Sequence, residues 1–382
     1  SASVPEPFRG FDASSKYTIN YDDLTAALKT VVVDTGRSTR EVAAPTSSQI
    51  GTRMKVSVKR STMNEANRFY YEIFQDSAEA RQLLLGIQES LVRTPDEAPL
   101  KYFSRDEQLA YWLNLYNVTV LNEIIKIYPK RNLKKVVTGK KSIFDKKLLT
   151  VAGIPLSLND IQHTILAKNY DEDPLITYGL YQGIIRGPNI RKSAYTGNNV
   201  YRNLEYNARE FINTNRGTYF RGDKVFEVSS LYDRNSQLFP DFEADLRSHL
   251  EKYLEGYELS GLKKATKIKA DISDWTVTDL YGTYREMGGS LADNRAALMD
   301  SVVSTYQADN QIVPLNVGIQ SNNMIVKTQP YSRFSPDLVE HLLEIRTREE
   351  MANMEKDTSV TVEELGVVSE QTPAEEPEGE RD

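Results

Sequence analysis

Cysteine is absent from all 382 residues, and this absence excludes whole classes of chemistry. Without it there is no disulfide, no thiolate nucleophile and no zinc–thiolate site. Histidine is scarce too, with three in the chain and none in a His-x-x-x-His or Glu-x-x-His pair, so no metal site is expected. Nowhere do about eighteen apolar residues run together, so no membrane span is encoded. Neither a phosphate-binding Gly-Lys-Ser/Thr loop nor a dinucleotide fingerprint occurs, and no cofactor is expected.

What is present is a globular composition, 40% hydrophobic and 26% charged, with a net charge of −7. The charge is uneven: residues 355–382 hold ten acids and two bases, leaving a body near +1. A neutral body argues against a broad nucleic-acid footprint. The acidic tail carries too little apolar surface to offset the entropy of ordering, so it is expected to be disordered. The opening Ser1-Ala2-Ser3-Val4-Pro5, without methionine, is what removal of an export signal leaves, which predicts a periplasmic or extracellular protein.

Periodicity organises the rest. A Pro/Ser/Gly-rich stretch at 1–16 reads as a flexible arm, and Leu24, Ala27, Leu28 and Val31 then fall at helical spacing. Alternation predicts a strand at 54–59, and helices follow in "NEANRFYYEIF" and in "EARQLLLGIQESLV", the latter stopped by Pro95. The strongest helix lies in "SRDEQLAYWLNLYNVTVLNEIIKIYP". Ser104 and Glu107 form a capping-box pair, and Leu109, Trp112, Leu113, Tyr116 and Val120 make a buried stripe ended by Pro129. Ser157 and Asp160 repeat the cap before "IQHTILAKN". A third helix places Leu204, Ala208 and Phe211 inward, with Gly217 as its C-cap. Gly222-Asp223 turns a hairpin, a Pro240-initiated helix runs to about 255, and helices at 291–307 and 335–351 flank strands near 312–327. The expected architecture is one helix-rich α+β domain over 17–354, with short strands and hairpins.

Three blocks, "DEQLAYWLNLYNVTVLNEI", "VAGIPLSLNDIQHTIL" and "DPLITYGLYQGIIRGPNIRKSAYTGNNVYRNLEYNAREFIN", resemble in order and spacing those of the domain of unknown function 547 family. The resemblance covers about 95–220. It implies an exported bacterial type of protein and carries no established activity. Many relatives have a histidine and two cysteines in the third block. At the matching positions this chain has Thr177, Gln182 and Gly187, so a thiol nucleophile with a histidine base would be lost here.

Two functions follow. In the first, a groove between the helix at 105–127 and the loop at 179–198 binds a ligand without turnover. Asn114 and Asn117 share one helix face, either tying down the loop or touching ligand. Tyr178, Gln182, Gly183, Gly187, Asn189 and Tyr195 shape the loop, while Arg186 and Arg191 are expected to be exposed and to favour an acidic small molecule, a glycan or a protein. An excess of tyrosine, 22 against 12 phenylalanines, suits such contacts. In the second, a thiol-independent hydrolase or transferase uses Glu107 or His163 as general base. Convergence of His163, Glu107, Asn117 and Gln182 on one open cleft would favour the enzyme.

Overall fold

The computed structural model describes residues 3–38, 40, 65–222 and 224–279. The strand expected at 54–59, the elements expected beyond 279 and the acidic tail lie outside the described residues. Those described form α1 (Asp22–Val31), β1 (Val32–Val33), β2 (Arg68–Phe69), α2 (Ile73–Asp76), α3 (Ala78–Glu97), α4 (Arg105–Ile127) and α5 (Lys134–Thr138). After the hairpin β3 (Leu149–Val151) and β4 (Ile154–Leu156) come α6 (Leu158–Asp160), a π-helical segment (Ile161–Leu166) and α7 (Ala167–Asn169). Then follow α8 (Val200–Ile212), β5 (Thr218–Phe220), β6 (Val225–Ser229), α9 (Ser230–Arg234), α10 (Phe242–Glu251), α11 (Gly256–Lys264) and β7 (Lys267–Ile272). The fold is helix-rich α+β. Its sheets are two two-stranded ladders and the three-stranded β5-β6-β7, in which β6 and β7 run parallel.

Helix α4 is the axis. The predicted stripe is buried, but so are 18 of its 23 residues, so packing surrounds it. It packs on α3 and α8, and Phe8 meets Trp112 edge-on at 4.9 Å. The segment expected to be a flexible arm is therefore docked: Phe8 is fully buried, and Gln108 donates to the carbonyl of Gly10 at 3.0 Å.

Four local expectations need correction. Helix α3 does not stop at Pro95 but passes through it to Glu97. Proline removes the N–H that would bond the carbonyl of Leu91, and the Tyr111 hydroxyl donates to that carbonyl instead, at 2.9 Å. The stretch "NEANRFYYEIF" is not one helix: Arg68 and Phe69 pair with β1, and only Ile73–Asp76 is helical. Gly217 is not the cap of α8, which ends at Ile212 with Asn213 as its C-cap. A Cβ at Gly217 would lie 2.0 Å from the carbonyl oxygen of Phe211, so close backbone approach explains that glycine. Finally, α10 ends at Glu251 and a separate α11 begins at Gly256.

The final described segment works as a strap. Backbone bonds run from Leu133 N–H to the carbonyl of Trp275, from Ile185 to Thr276, from Arg186 to Asp274 and from Thr278 to Gly183, all between 2.9 and 3.1 Å. It sews the glycine-rich loop to the start of α5 and seals it from outside.

Candidate functional site

The two asparagines of α4 hold the loop rather than an open groove. Asn114 brackets one peptide position, donating to the Tyr195 carbonyl at 2.8 Å and accepting the Tyr195 N–H at 2.9 Å. Asn117 donates to the Gly179 carbonyl and accepts the Tyr181 N–H, both at 2.9 Å. Each buried amide has thus spent a donor and an acceptor on backbone. The space left between α4 and the loop, lined in part by Asn117, Ile190, Arg191 and Tyr195, is about 10 Å³.

The other loop residues are similarly engaged. Gly183 has φ of 76°, and a Cβ there would lie 1.9 Å from Ile124 Cδ1, so glycine is required for conformation and for space. Gly187 is buried. Tyr178 joins its hydroxyl to Tyr232 at 2.9 Å and to His249 Nε2 at 2.8 Å. Burial, followed by Lys252, lowers the His249 pKa to about 4. Asn189 accepts from the Asn67 N–H at 2.8 Å and from Arg216 Nη2 at 3.1 Å. Tyr195 Oη accepts from Asn207 at 2.9 Å.

Arg186 corrects the expectation of an exposed cation. It is completely buried and stacks on Trp275 with the guanidinium carbon 4.0 Å from the ring centroid. Its contact with Gln182 Oε1 is long, 3.5 Å, and burial with nearby Arg234 lowers its pKa to about 9. Arg191 is half-buried, donating to Asn207 Oδ1 at 2.8 Å and lying over the Tyr206 ring.

The four residues named as a convergence test do not meet. Glu107 is buried, and its oxygens accept the N–H groups of Ile19 at 2.9 Å and Gly197 at 3.0 Å. Ser104 does cap the Glu107 N–H at 3.2 Å, but the carboxylate joins two other segments instead of closing the box. Burial raises its pKa against those two bonds. The Ser157 and Asp160 box is complete. His163, on the π-helical segment, contacts Gln237 through Nδ1 at 3.1 Å, and burial ahead of Arg234 lowers its pKa. It shares a shallow depression of about 20 Å³ with Gln162, Thr177, Asn235 and Gln237. Gln182, Glu107 and Asn117 do not line it. Two carboxylates, Glu172 and Asp173, line the same depression as His163 and Thr177. Among the described residues no group of three His, Cys, Asp or Glu is placed to hold a metal, and no helix is long and apolar enough to cross a membrane.

A different surface stands out, one that whole-chain charge concealed. Residues 126–147 hold eight lysines, one arginine and one acid, a net +8 inside a chain of −7. Leu133, Val137, Ile143 and Phe144 are buried and anchor this lobe, whose return is set by Ile143 N–H bonding the Val136 carbonyl at 3.0 Å. All eight lysines are exposed. Lys126 pairs with Glu123 and Lys147 with Asp160, while Lys130, Lys134, Lys135, Lys140, Lys141 and Lys146 have no carboxylate partner among the described residues. The signal was available: a running charge count over about twenty residues finds it.

This lobe lies within the segment that the family comparison matches, residues 100–212, whose family is described as "Protein of unknown function, DUF547". Over residues 100–212 the chain is similar to that family. The matched segment begins just before α4 and ends with α8, enclosing the axis helix, the lysine lobe, the π-helical segment and the loop. No curated protein and no solved structure matches the chain.

Proposed function

We propose that the protein is a binding domain for an acidic partner, acting without turnover, with the DUF547 segment as its frame and the lysine lobe as its contact surface. The observation that carries this reading is the exposed concentration of charge at 126–147, eight exposed lysines against one acid. Such a surface raises the local concentration of anions and accelerates encounter. The loop supports the reading from the other side: Asn114, Asn117 and Glu107 are committed to backbone, and His163 contacts Gln237. Its role is to hold the frame rigid. Lysine in place of arginine suits a diffuse carboxylate or sulfate chain, because ammonium groups act as point charges and do not demand the planar pairing of a guanidinium.

We further propose a periplasmic or extracellular location, where acidic glycans and surface proteins are accessible; fractionation of producing cells tests this. Binding is tested by retention of the full chain on immobilised heparin and polyglutamate. Lys134→Glu with Lys135→Glu, Lys140→Glu and Lys141→Glu should abolish retention while leaving the circular dichroism spectrum unchanged. Retention unaffected by the four changes would refute the surface. Multiple turnover of a glycan or ester, lost in His163→Ala with the fold retained, would refute the absence of catalysis.

A further inference from the structure

The chain contains an acidic segment that matches the lobe in charge. Residues 355–382 carry ten acids and two bases, a net −8, against the lobe's net +8. We infer that this tail is the lobe's partner in cis, covering the lysines until an external polyanion displaces it. The inference rests on the lobe being the binding surface and names its resident occupant.

Three observations favour the tail over a nucleic acid. The lobe has a single arginine, Arg131, so it lacks the bidentate forks that read phosphates and bases. Its two aromatic residues, Tyr128 and Phe144, are both buried, leaving no ring on which a base could stack. What remains is a patch of mobile ammonium groups over a fixed core, with Lys134 and Lys135 on α5 and Lys140 and Lys141 on the turn after it. That patch needs only carboxylates at matching density, and the tail supplies them at Glu363, Glu364, Glu370, Glu375, Glu376, Glu378 and Glu380.

Connection favours the same partner. Residues 280–354 join the last described residue to the tail, and even at a helical rise of 1.5 Å per residue they could span about 110 Å. A domain of the described size has a radius of gyration of about 18 Å. A tethered segment meets the lobe at an effective concentration in the millimolar range, so weak individual pairs suffice. No single pair contributes much, because each is exposed and screened by salt. The contact is therefore easily displaced, which fits a cover that yields to a longer or denser polyanion.

Zero-length carbodiimide cross-linking of the full chain, analysed in the monomer fraction by peptide mass spectrometry, tests the contact directly. At about 50 mM salt, tail carboxylates should couple to Lys134, Lys135, Lys140 and Lys141 about fivefold more often than to the exposed Lys29, Lys263, Lys264 and Lys267. The excess should vanish near about 0.5 M salt. Equal yields at all these lysines at low salt would overturn the inference. Heparin retention separates this outcome from failure of the functional reading: a chain that is retained through the lobe but shows no cross-link excess keeps its binding surface and loses its internal partner. As an independent check, Ser369→Cys gives the chain its only thiol for a nitroxide label. Paramagnetic broadening confined to the amides of 134–147 supports docking, and its absence there contradicts it.

Discussion

The loop at 179–198 and the lobe at 126–147 present opposite uses of basic residues. Arg186 is fully buried beneath Trp275 in the loop, and Arg191 is half-buried and tied to Asn207, whereas the lobe's eight lysines are exposed. The loop looks functional in the sequence because it collects glycine, asparagine and arginine; in the fold those residues close a gap between α4 and the strap at 274–279. The lobe looks unremarkable in the total charge, yet all its lysines are exposed. A motif-rich segment can serve architecture, and a low-complexity one can carry the contact.

This comparison can be broken most severely at Gly183. Gly183→Ala combines left-handed backbone with collision against Ile124, and the expected cost is about 2 to 4 kcal/mol in denaturant unfolding. A loop that opens to receive ligand would accept the methyl with little loss.

His249, under the same loop at Tyr178, is expected to give the next largest effect. Its folded pKa of about 4 lies below the ordinary 6.5, so the unfolded chain binds more protons between those values. The stability it contributes is present above pH 6.5 and is lost as pH falls to 4. The loss is roughly 3 kcal/mol. His249→Gln should flatten the stability profile over that window relative to wild type, measured by urea unfolding at several pH values. An unchanged slope would mean the imidazole is solvated.

Asn117→Ala leaves the Gly179 carbonyl and the Tyr181 N–H without their side-chain partner, and about 1 to 3 kcal/mol should be lost. Unchanged stability in that variant would assign the amide to ligand instead. At the small end, reversing Lys134, Lys135, Lys140 and Lys141 to glutamate should move stability by only about 0.5 kcal/mol per site or less, because these are exposed positions. A large loss would make the lobe architectural as well.

Local signals in the sequence were legible where local physics decides. The caps at Ser104 and Ser157, the inward faces of α1 and α8, and the hairpin at Gly222 follow from spacing and turn chemistry. Where a distant residue decides, the reading fails. Pro95 stays helical because Tyr111 takes the freed Leu91 carbonyl. Arg186 is buried because Trp275, far along the chain, provides its face. Glu107 leaves its capping box because Ile19 and Gly197 arrive with unpaired N–H groups. The π-helical turn beneath His163 has no sequence signature. The lysine lobe differs from all of these: it was readable by counting, and averaging over the chain hid it.

The most direct test of the central claim is the salt dependence of binding of fluorescent polyglutamate to the full chain and to the fourfold Lys→Glu variant. The account predicts wild-type binding that weakens steeply with salt, with a slope reduced by several units in the variant, since each neutralised anion contributes about one counterion. Equal slopes and affinities for the two proteins would contradict it.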